Sequence, residues 1–244
     1  MSRDLVSRVD DPVYVAEQYA TERGLAARKA AYADVSGPDA RDVAFRAVLE
    51  REPEAVLEVG CGEGELAERI LAEPGIDVVA VDLSPRMVEL AASRGLDARV
   101  ADVQSLPFAD ASFDVVVAAW MLYHVPDLDR GLAEVVRVLR AGGALVAVTN
   151  APGHLQEVLD LGGLEGWMLG FDGENGQARL EEHFARVHRR EVYGTVTFGD
   201  IGVVRSYYGS SQRLQPHSHA LPAGLEKPLV AKRMPVVFVA EKAG

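Results

Sequence analysis

Short apolar runs alternate with amphipathic stretches through the middle of this 244-residue chain. Apolar runs bounded by helical segments are typical of parallel strands that are covered on both faces. The pattern predicts strands at Ala55–Val59, Asp77–Val81, Ala98–Val100, Phe113–Ala119 and Ala144–Thr149. It predicts helices between them, including one that begins at Asp127 and is stopped by Gly142 and Gly143. Strands and helices in alternation indicate an α/β fold with a parallel sheet.

The segments on either side break this alternation. Residues 12–35 are rich in alanine and predict one or two helices interrupted near Gly24, and Asp39 is suited to cap a helix that reaches Glu50. Gly and Pro are frequent between 150 and 233, where the patterns predict helices at 177–184 and 200–208, a strand at 187–198 and a loop at 216–228. A last strand is predicted at Pro235–Glu241, where β-favouring residues follow one another.

Composition narrows the class of partner. The formal charge of -12 disfavours nucleic acid, because a polyanion is repelled over most of such a surface. Cys61 is the single cysteine, which excludes an intramolecular disulfide and fits a reducing compartment. The start of the chain has no apolar signal segment, and the longest apolar run, Val115–Val125, is too short to span a bilayer. We expect a cytoplasmic protein that acts on a small molecule, without a nucleic-acid or membrane partner, as a monomer or homodimer.

A glycine-rich turn follows the first central strand. Gly60-Cys61-Gly62-Glu63-Gly64 lies between that strand and a helix, and glycines allow a tight turn that a ligand can approach closely. Asp82 ends the next strand about 20 residues further on, the spacing at which a carboxylate reaches ribose hydroxyls. The two features together predict a site for an adenosine-containing cofactor.

The charge around the turn bears on which cofactor it binds. Glu58, Glu63 and Glu65 place negative charge near the start of the helix, where a dinucleotide site would offer its N-terminus to pyrophosphate. Carboxylates suit a cationic ligand better. A nicotinamide-dependent oxidoreductase on the same kind of sheet, or a non-catalytic cofactor-binding module, remains an alternative.

Five segments resemble, in order, the motifs of class I S-adenosylmethionine-dependent methyltransferases of the type 11 group, which includes ubiquinone and menaquinone methyltransferases. They are Leu57–Ala67, Val81–Leu90, 101–103 with 106–108, Phe113–Ala119 and Leu139–Gly143. The family commonly has proline where Ala141 stands. The resemblance implies a Rossmann-like, doubly wound, mostly parallel seven-stranded sheet with an antiparallel last strand. It also implies methyl transfer from S-adenosylmethionine to a small-molecule acceptor, with S-adenosylhomocysteine as product.

The resemblance also implies roles for individual residues. Glu58, Gly60 and Gly62 would surround the methionine part of the cofactor, and Asp82 would bind the ribose. Leu83 and Met87 would flank the adenine, whose edge Asp102 and Val103 would contact. The expected cofactor-binding residues also include Ala119 and Cys61, which is a small residue in the turn. In relatives an N-terminal tyrosine closes over the amino-acid end of the cofactor, which points to Tyr19, with Arg28 as the partner of the carboxylate.

The candidate catalytic residues follow the carboxyl ends of two central strands. His124 is the first candidate base, and His154 is the second. Trp120 and Tyr123 line an apolar acceptor pocket or belong to the core. His217 and His219 invite a metal interpretation, but no third ligand is near them in the sequence, so we expect no metal site.

The expected organisation is one methyltransferase domain over residues 1–244. It consists of an N-terminal helical lid at 1–50, a cofactor-binding core at 55–150, a substrate-facing cap region at 151–233 and the last strand at 234–244. The atom of the acceptor that receives the methyl group, whether oxygen, nitrogen or carbon, is left open by the sequence.

Overall fold

The computed structural model describes residues 9–21, 23–166 and 169–244. The helices are α1 (Pro12–Gln18), α2 (Arg23–Ala31), α3 (Ala40–Leu49), α4 (Glu65–Leu71), α5 (Pro85–Ser93), α6 (Leu128–Val138), α7 (Gln156–Asp160), α8 (Gly176–Glu181) and α9 (Ile201–Gly209). The strands are β1 (Val35–Ser36), β2 (Ala55–Val59), β3 (Asp77–Asp82), β4 (Asp97–Val100), β5 (Phe113–Ala119), β6 (Leu139–Asn150), β7 (Arg186–Glu191), β8 (Gly194–Phe198), β9 (Leu229–Arg233) and β10 (Pro235–Glu241). Short 3-10 helices occur at Leu122–His124 and Gln215–Ala220.

A seven-stranded sheet has the strand order β4-β3-β2-β5-β6-β10-β7. The pairs from β4 to β6 are parallel, and β10 is antiparallel to both of its neighbours. The predicted α/β fold with a mostly parallel sheet and an antiparallel last strand is therefore confirmed. The order of the strands reverses between β2 and β5, and open sheets of this kind bind ligands at the carboxyl ends of the strands beside that point.

Two apolar layers cover the faces of this sheet. Alternate residues of a strand point to opposite faces, so Val56 packs with α3 and α4 while Leu57 packs with α6. The hydrophobic period of α6 places Leu132, Val135 and Val138 in the core at 0% exposure. Burial on both faces explains why the central strands are apolar throughout.

A second sheet of three antiparallel strands has the order β1-β8-β9. It corrects the single strand expected at 187–198, because that segment divides into β7, which pairs with β10 in the large sheet, and β8 in the small one. Gly194 begins β8, and a Cβ there would lie 2.2 Å from the carbonyl oxygen of Ser36, so only glycine permits this approach of the two chains. The strand β9 was not expected, and the predicted loop before it contains a 3-10 helix.

The N-terminal helices lie over the carboxyl edge of the large sheet. The helix α1 ends at Gln18 and α2 begins at Arg23, so the interruption lies near Gly24 as expected, and Gly24 itself belongs to α2. A Cβ at Gly24 would lie 2.9 Å from the carbonyl oxygen of Ser210, so the glycine permits close packing of α2 near the end of α9. Asp39 accepts a hydrogen bond from the backbone N–H of Arg41 and caps α3, as expected.

None of the helices formed by the described residues has the length and apolar composition that crossing a membrane requires.

Candidate functional site

A cavity of about 590 Å³ lies at the carboxyl ends of β2, β3, β5 and β6. Side chains from α2, β1, α9 and β9 complete its walls. Thirteen of the predicted site residues line it: Tyr19, Arg28, Glu58, Gly60, Cys61, Gly62, Asp82, Leu83, Asp102, Val103, Ala119, His124 and His154. Met87 is the exception, because it points into the core at 0% exposure and does not belong to the lining. The structure thus brings the predicted cofactor and catalytic residues to one cavity.

The glycine turn has the backbone conformation that its sequence indicates. Gly60, Gly62 and Gly64 have φ values of 64°, 54° and 77°, which side chains of L-residues rarely adopt. A Cβ on Gly60 would also lie 2.7 Å from the Cβ and Cγ atoms of Met121. The backbone N–H of Cys61 donates to the carbonyl of Val81 over 3.0 Å, which ties the turn to β3.

Asp82 holds this turn and the next helix together. One of its carboxylate oxygens accepts from the backbone N–H of Gly62 at 2.9 Å, and the other accepts from that of Ser84 at 2.8 Å. Burial raises the pKa of Asp82, and these two backbone donors oppose the rise. Each carboxylate oxygen has a second lone pair, so Asp82 can still accept hydrogen bonds from a pair of hydroxyl groups in the cavity.

Glu58 is buried beside the turn with an unsatisfied oxygen. Its side chain is 3% exposed, and its Oε2 atom has no hydrogen-bond partner among the described residues. Loss of water on burial raises the pKa of Glu58 to about 8, and the nearby Asp82 contributes to the rise. An orphaned buried carboxylate oxygen is costly, and a cationic ligand would supply the missing partner. The residues present therefore fit a cofactor with a positive charge at this end.

Cys61 is a packing residue rather than a nucleophile. Burial raises the pKa of its thiol, and the neighbouring Glu58 and Asp82 raise it further. A thiol in such surroundings stays protonated and unreactive.

Tyr19 and His124 form a hydrogen-bonded pair at the edge of the cavity. Tyr19 Oη lies 3.0 Å from His124 Nε2, and His124 Nδ1 lies 2.6 Å from the carbonyl oxygen of Val9. A carbonyl can only accept, so Nδ1 carries the hydrogen of the neutral ring and Nε2 is left with a lone pair. Burial lowers the pKa of His124 to about 4, which keeps the ring neutral at pH 7. Tyr19 therefore donates to the Nε2 lone pair of a neutral imidazole.

His154 carries its ring hydrogen on the other nitrogen. Its Nδ1 accepts the backbone N–H of Met234 at 2.9 Å, so the hydrogen of the neutral ring lies on Nε2. That Nε2 lies 2.9 Å from Tyr32 Oη and donates to it. Burial lowers the pKa of His154 to about 3. Both ring nitrogens are engaged, which argues against the predicted role of His154 as a base, because it offers no lone pair to the cavity.

Several cavity residues were missed by sequence reasoning, namely Tyr32, Arg41, Asn150 and Arg233. Arg41 lies 5.1 Å from the ring centre of Trp120, and Trp120 donates to Asn150 over 3.1 Å. These residues come from separate elements and share no spacing with the motifs, so no signal in the sequence joins them. Trp120 and Tyr123 both line the cavity, and Tyr123 also packs against the core of the large sheet.

Arg28 lies against the ring of Tyr19 in the cavity wall. Its guanidinium lies 5.6 Å from the ring centre of Tyr19, and Nη1 donates to the carbonyl of Ser210 at 3.4 Å. The positions of Tyr19 and Arg28 bring a hydroxyl and a positive charge to the same end of the cavity. Lys29, the next residue, is bound to Glu63 and Glu65.

Comparison with known proteins identifies the central region. Residues 57–147 match the model of the family described as "Methyltransferase domain". The chain is 37% identical over 111 residues to demethylmenaquinone methyltransferase of Thermus thermophilus, an alignment that covers 43% of this chain and 50% of that protein. This chain spans about half or less of the length of the curated relatives first matched.

Solved structures share the fold over most of the chain. The [4+2]-cyclase SpnF aligns with a TM-score of 0.60 and 19% identity, covering 98% of each chain. The 1,6-didemethyltoxoflavin-N1-methyltransferase of Burkholderia thailandensis, solved with S-adenosylhomocysteine, aligns with a TM-score of 0.57 and 22% identity over 94% of this chain and 86% of that one. The comparisons confirm the predicted methyltransferase domain over residues 57–147 and the predicted fold, and they agree with S-adenosylmethionine as the cofactor of this domain.

Proposed function

We propose that this chain, whose residues 57–147 are a class I methyltransferase domain, transfers a methyl group from S-adenosylmethionine to a small-molecule acceptor. One observation carries the proposal: a single cavity joins the glycine turn and orphaned Glu58 carboxylate to the Tyr19–His124 pair. Such a transfer needs one part of the cavity to bind the cationic cofactor and an adjoining part to accept a proton from the acceptor.

The cofactor half is built for an adenosine group with a cationic tail. Asp82 would accept the ribose hydroxyls, and Glu58 would face the positive charges of the methionine part. Arg28 would pair with the carboxylate at the amino-acid end, and Leu83 with Val103 would enclose the adenine. When bound, S-adenosylmethionine supplies a methyl group that is attached to a positively charged sulfur. On transfer of the methyl group, the sulfur keeps the bonding electrons and becomes a neutral thioether.

The other half of the cavity would accept the proton that the acceptor loses. An oxygen or nitrogen acceptor that gains a methyl group gives up a proton, and a positioned base lowers the barrier to that step. Because Tyr19 already donates to His124 Nε2, it can pass its hydrogen to the imidazole while its oxygen takes the hydrogen of the acceptor. The alignment of acceptor and methyl group in a closed cavity would supply the rest of the rate enhancement.

Binding and turnover test this proposal separately. Isothermal titration should show S-adenosylhomocysteine bound with micromolar affinity or better and no binding of NADH. The reverse result would make the chain a nicotinamide-dependent oxidoreductase. Isotope-labelled S-adenosylmethionine is then incubated with a library of small metabolites. Transfer of label to a metabolite supports the proposal, whereas cofactor binding without transfer to any metabolite in the library contradicts it and favours a non-catalytic module.

A further inference from the structure

Arg233 is a buried positive charge in the cavity wall that has no negative partner among the described residues. It lies at the end of β9 with 7% exposure, and it lines the cavity. Its Nε donates to the carbonyl of Thr195, and its Nη2 donates to those of Ser36 and Pro38, all at 3.2 Å. No carboxylate oxygen of the described residues lies within 4.0 Å of its nitrogens, and Nη1 has no hydrogen bond to them. Buried charges in proteins are normally paired, so this guanidinium lacks a counterion.

Tyr32 adds a second donor next to this charge. Because His154 Nε2 carries a hydrogen and donates to Tyr32 Oη, the hydroxyl of Tyr32 cannot donate back to that nitrogen. No other hydrogen bond of this hydroxyl occurs within the described part of the chain, so its own hydrogen is free for a ligand. Tyr32 is hydrogen-bonded to His154, His154 accepts the backbone N–H of Met234, the residue after Arg233, and all three side chains line the cavity. We call Arg233, Tyr32 and His154 the donor cluster.

The distribution of charge separates the donor cluster from the cofactor half. Glu58, Asp82 and Asp102 line the cofactor half, where the cationic methyl donor is expected. In the donor cluster, Arg233 ends β9 and His154 follows the end of β6. The apolar side chains of Leu214 and Leu169 also belong to the cavity lining. A protein with a net charge of -12 has thus placed an uncompensated positive charge in the part of the cavity left for the acceptor.

We propose that the acceptor carries a carboxylate group, which binds Arg233 Nη1 and Tyr32 Oη next to an apolar portion. The two free donors match the two oxygens of one carboxylate, and one positive charge balances one negative charge. The donor cluster contains one cation, and Arg28, the other cation that acts on Tyr32, is assigned to the carboxylate of the cofactor, so a doubly charged phosphate would lack a second positive partner. This assignment rests on the proposed function, because it names the acceptor of that reaction.

The experiment compares acids with neutral analogues of the same shape. The probes are 2-, 3- and 4-hydroxybenzoate, each against its carboxamide, titrated by calorimetry into protein saturated with S-adenosylhomocysteine. At least one acid should bind about tenfold more tightly than its amide, the effect of a charge-assisted hydrogen bond in a buried site. Equal binding of acids and amides, or no binding of any acid at 10 mM probe, would overturn the proposal.

Variants locate the effect on the donor cluster. Tyr32→Phe removes one hydroxyl and should bring the acid-to-amide ratio to within about threefold, and Arg233→Gln should do the same if it folds. Lys232→Gln removes the same charge from the neighbouring exposed position of β9 and should leave the ratio unchanged. A ratio that survives Tyr32→Phe would contradict the assignment. Affinity for S-adenosylhomocysteine is measured in every variant, so loss of cofactor binding, which bears on the proposed function, is distinguished from loss of acid preference.

Discussion

Tyr19 donates its phenolic hydrogen to Nε2 of His124 across 3.0 Å. The direction is set by a third group, the carbonyl of Val9, which requires the ring hydrogen on Nδ1. Tyr32 and His154 form a pair of similar length in which the histidine donates, because the N–H of Met234 occupies Nδ1. Two tyrosine–histidine pairs in one cavity thus differ in the direction of a hydrogen bond. That difference is the basis for proposing that one pair accepts a proton and that the other binds an anion.

The two tautomers can be measured without a ligand. In 15N-labelled protein at pH 7, NMR should show the ring hydrogen of His124 on Nδ1 and that of His154 on Nε2. Because burial lowers their pKa values to about 4 and about 3, both rings should stay neutral at pH 5.5. The variants His124→Gln and His154→Gln assign the signals. Hydrogen on the same nitrogen in both rings would contradict the roles given to the two pairs.

Tyr19 and His124 should act as one unit in turnover. Tyr19→Phe and His124→Gln should each reduce kcat by about 10²-fold with the acceptor found by label transfer, because each breaks the same proton path. The double variant should be no slower than the slower single variant, as expected for residues that function together. Affinity for S-adenosylhomocysteine should change less than about threefold in His124→Gln. Tyr193→Phe, which alters an exposed tyrosine, is the control and should leave kcat unchanged. If the losses of kcat in the two single variants multiply in the double variant, the residues act independently.

Asp82 should determine affinity for the cofactor. Asp82→Asn keeps the shape of the side chain but removes its charge and one accepting oxygen, so S-adenosylhomocysteine should bind about 1–3 kcal/mol more weakly by calorimetry. Asp77→Asn alters an exposed aspartate at the opposite end of the same strand and should have no effect. Equal affinity in the wild type and Asp82→Asn would show that the ribose binds elsewhere.

Glu58 should make the protein without cofactor less stable as the pH rises. Its pKa is raised from an ordinary value of 4.5 to about 8, so its contribution to folding is complete below pH 4.5 and is lost as the pH rises to 8. Glu58→Gln cannot ionise, and its free energy of unfolding relative to wild type should increase between pH 5 and pH 8 by about 1–4 kcal/mol. Urea unfolding at the two pH values measures this change.

The exposed Glu89 supplies the matched control for that experiment. Its side chain is 68% exposed, and Glu89→Gln should show no such change between pH 5 and pH 8. If the free energy of unfolding of the wild type and that of Glu58→Gln changed equally between pH 5 and pH 8, Glu58 would ionise in the folded protein as it does in the unfolded chain.

Patterns of apolar and capping residues were sufficient to predict the central strands and helices, because each pattern depends on only a few neighbouring residues. The strand Phe113–Ala119 and the cap at Asp39 are found where the apolar run and the capping residue predict them. The segment 187–198 was predicted less well, because both β7 and β8 favour extended backbone and only tertiary pairing assigns them to different sheets. Met87 has the expected helix position, yet its side chain points into the core because α5 turns that face toward the sheet.

The sequence by itself determined the glycine turn, the distance to Asp82 and the order of the motifs, since all of these lie within one stretch of chain. Only the tertiary structure decided what the histidines do. A ring nitrogen donates or accepts according to the backbone group opposite it, and Val9 and Met234 are far from His124 and His154 in the sequence. The unpaired charge of Arg233 was likewise invisible, because a missing counterion is a property of the folded surroundings and not of any residue.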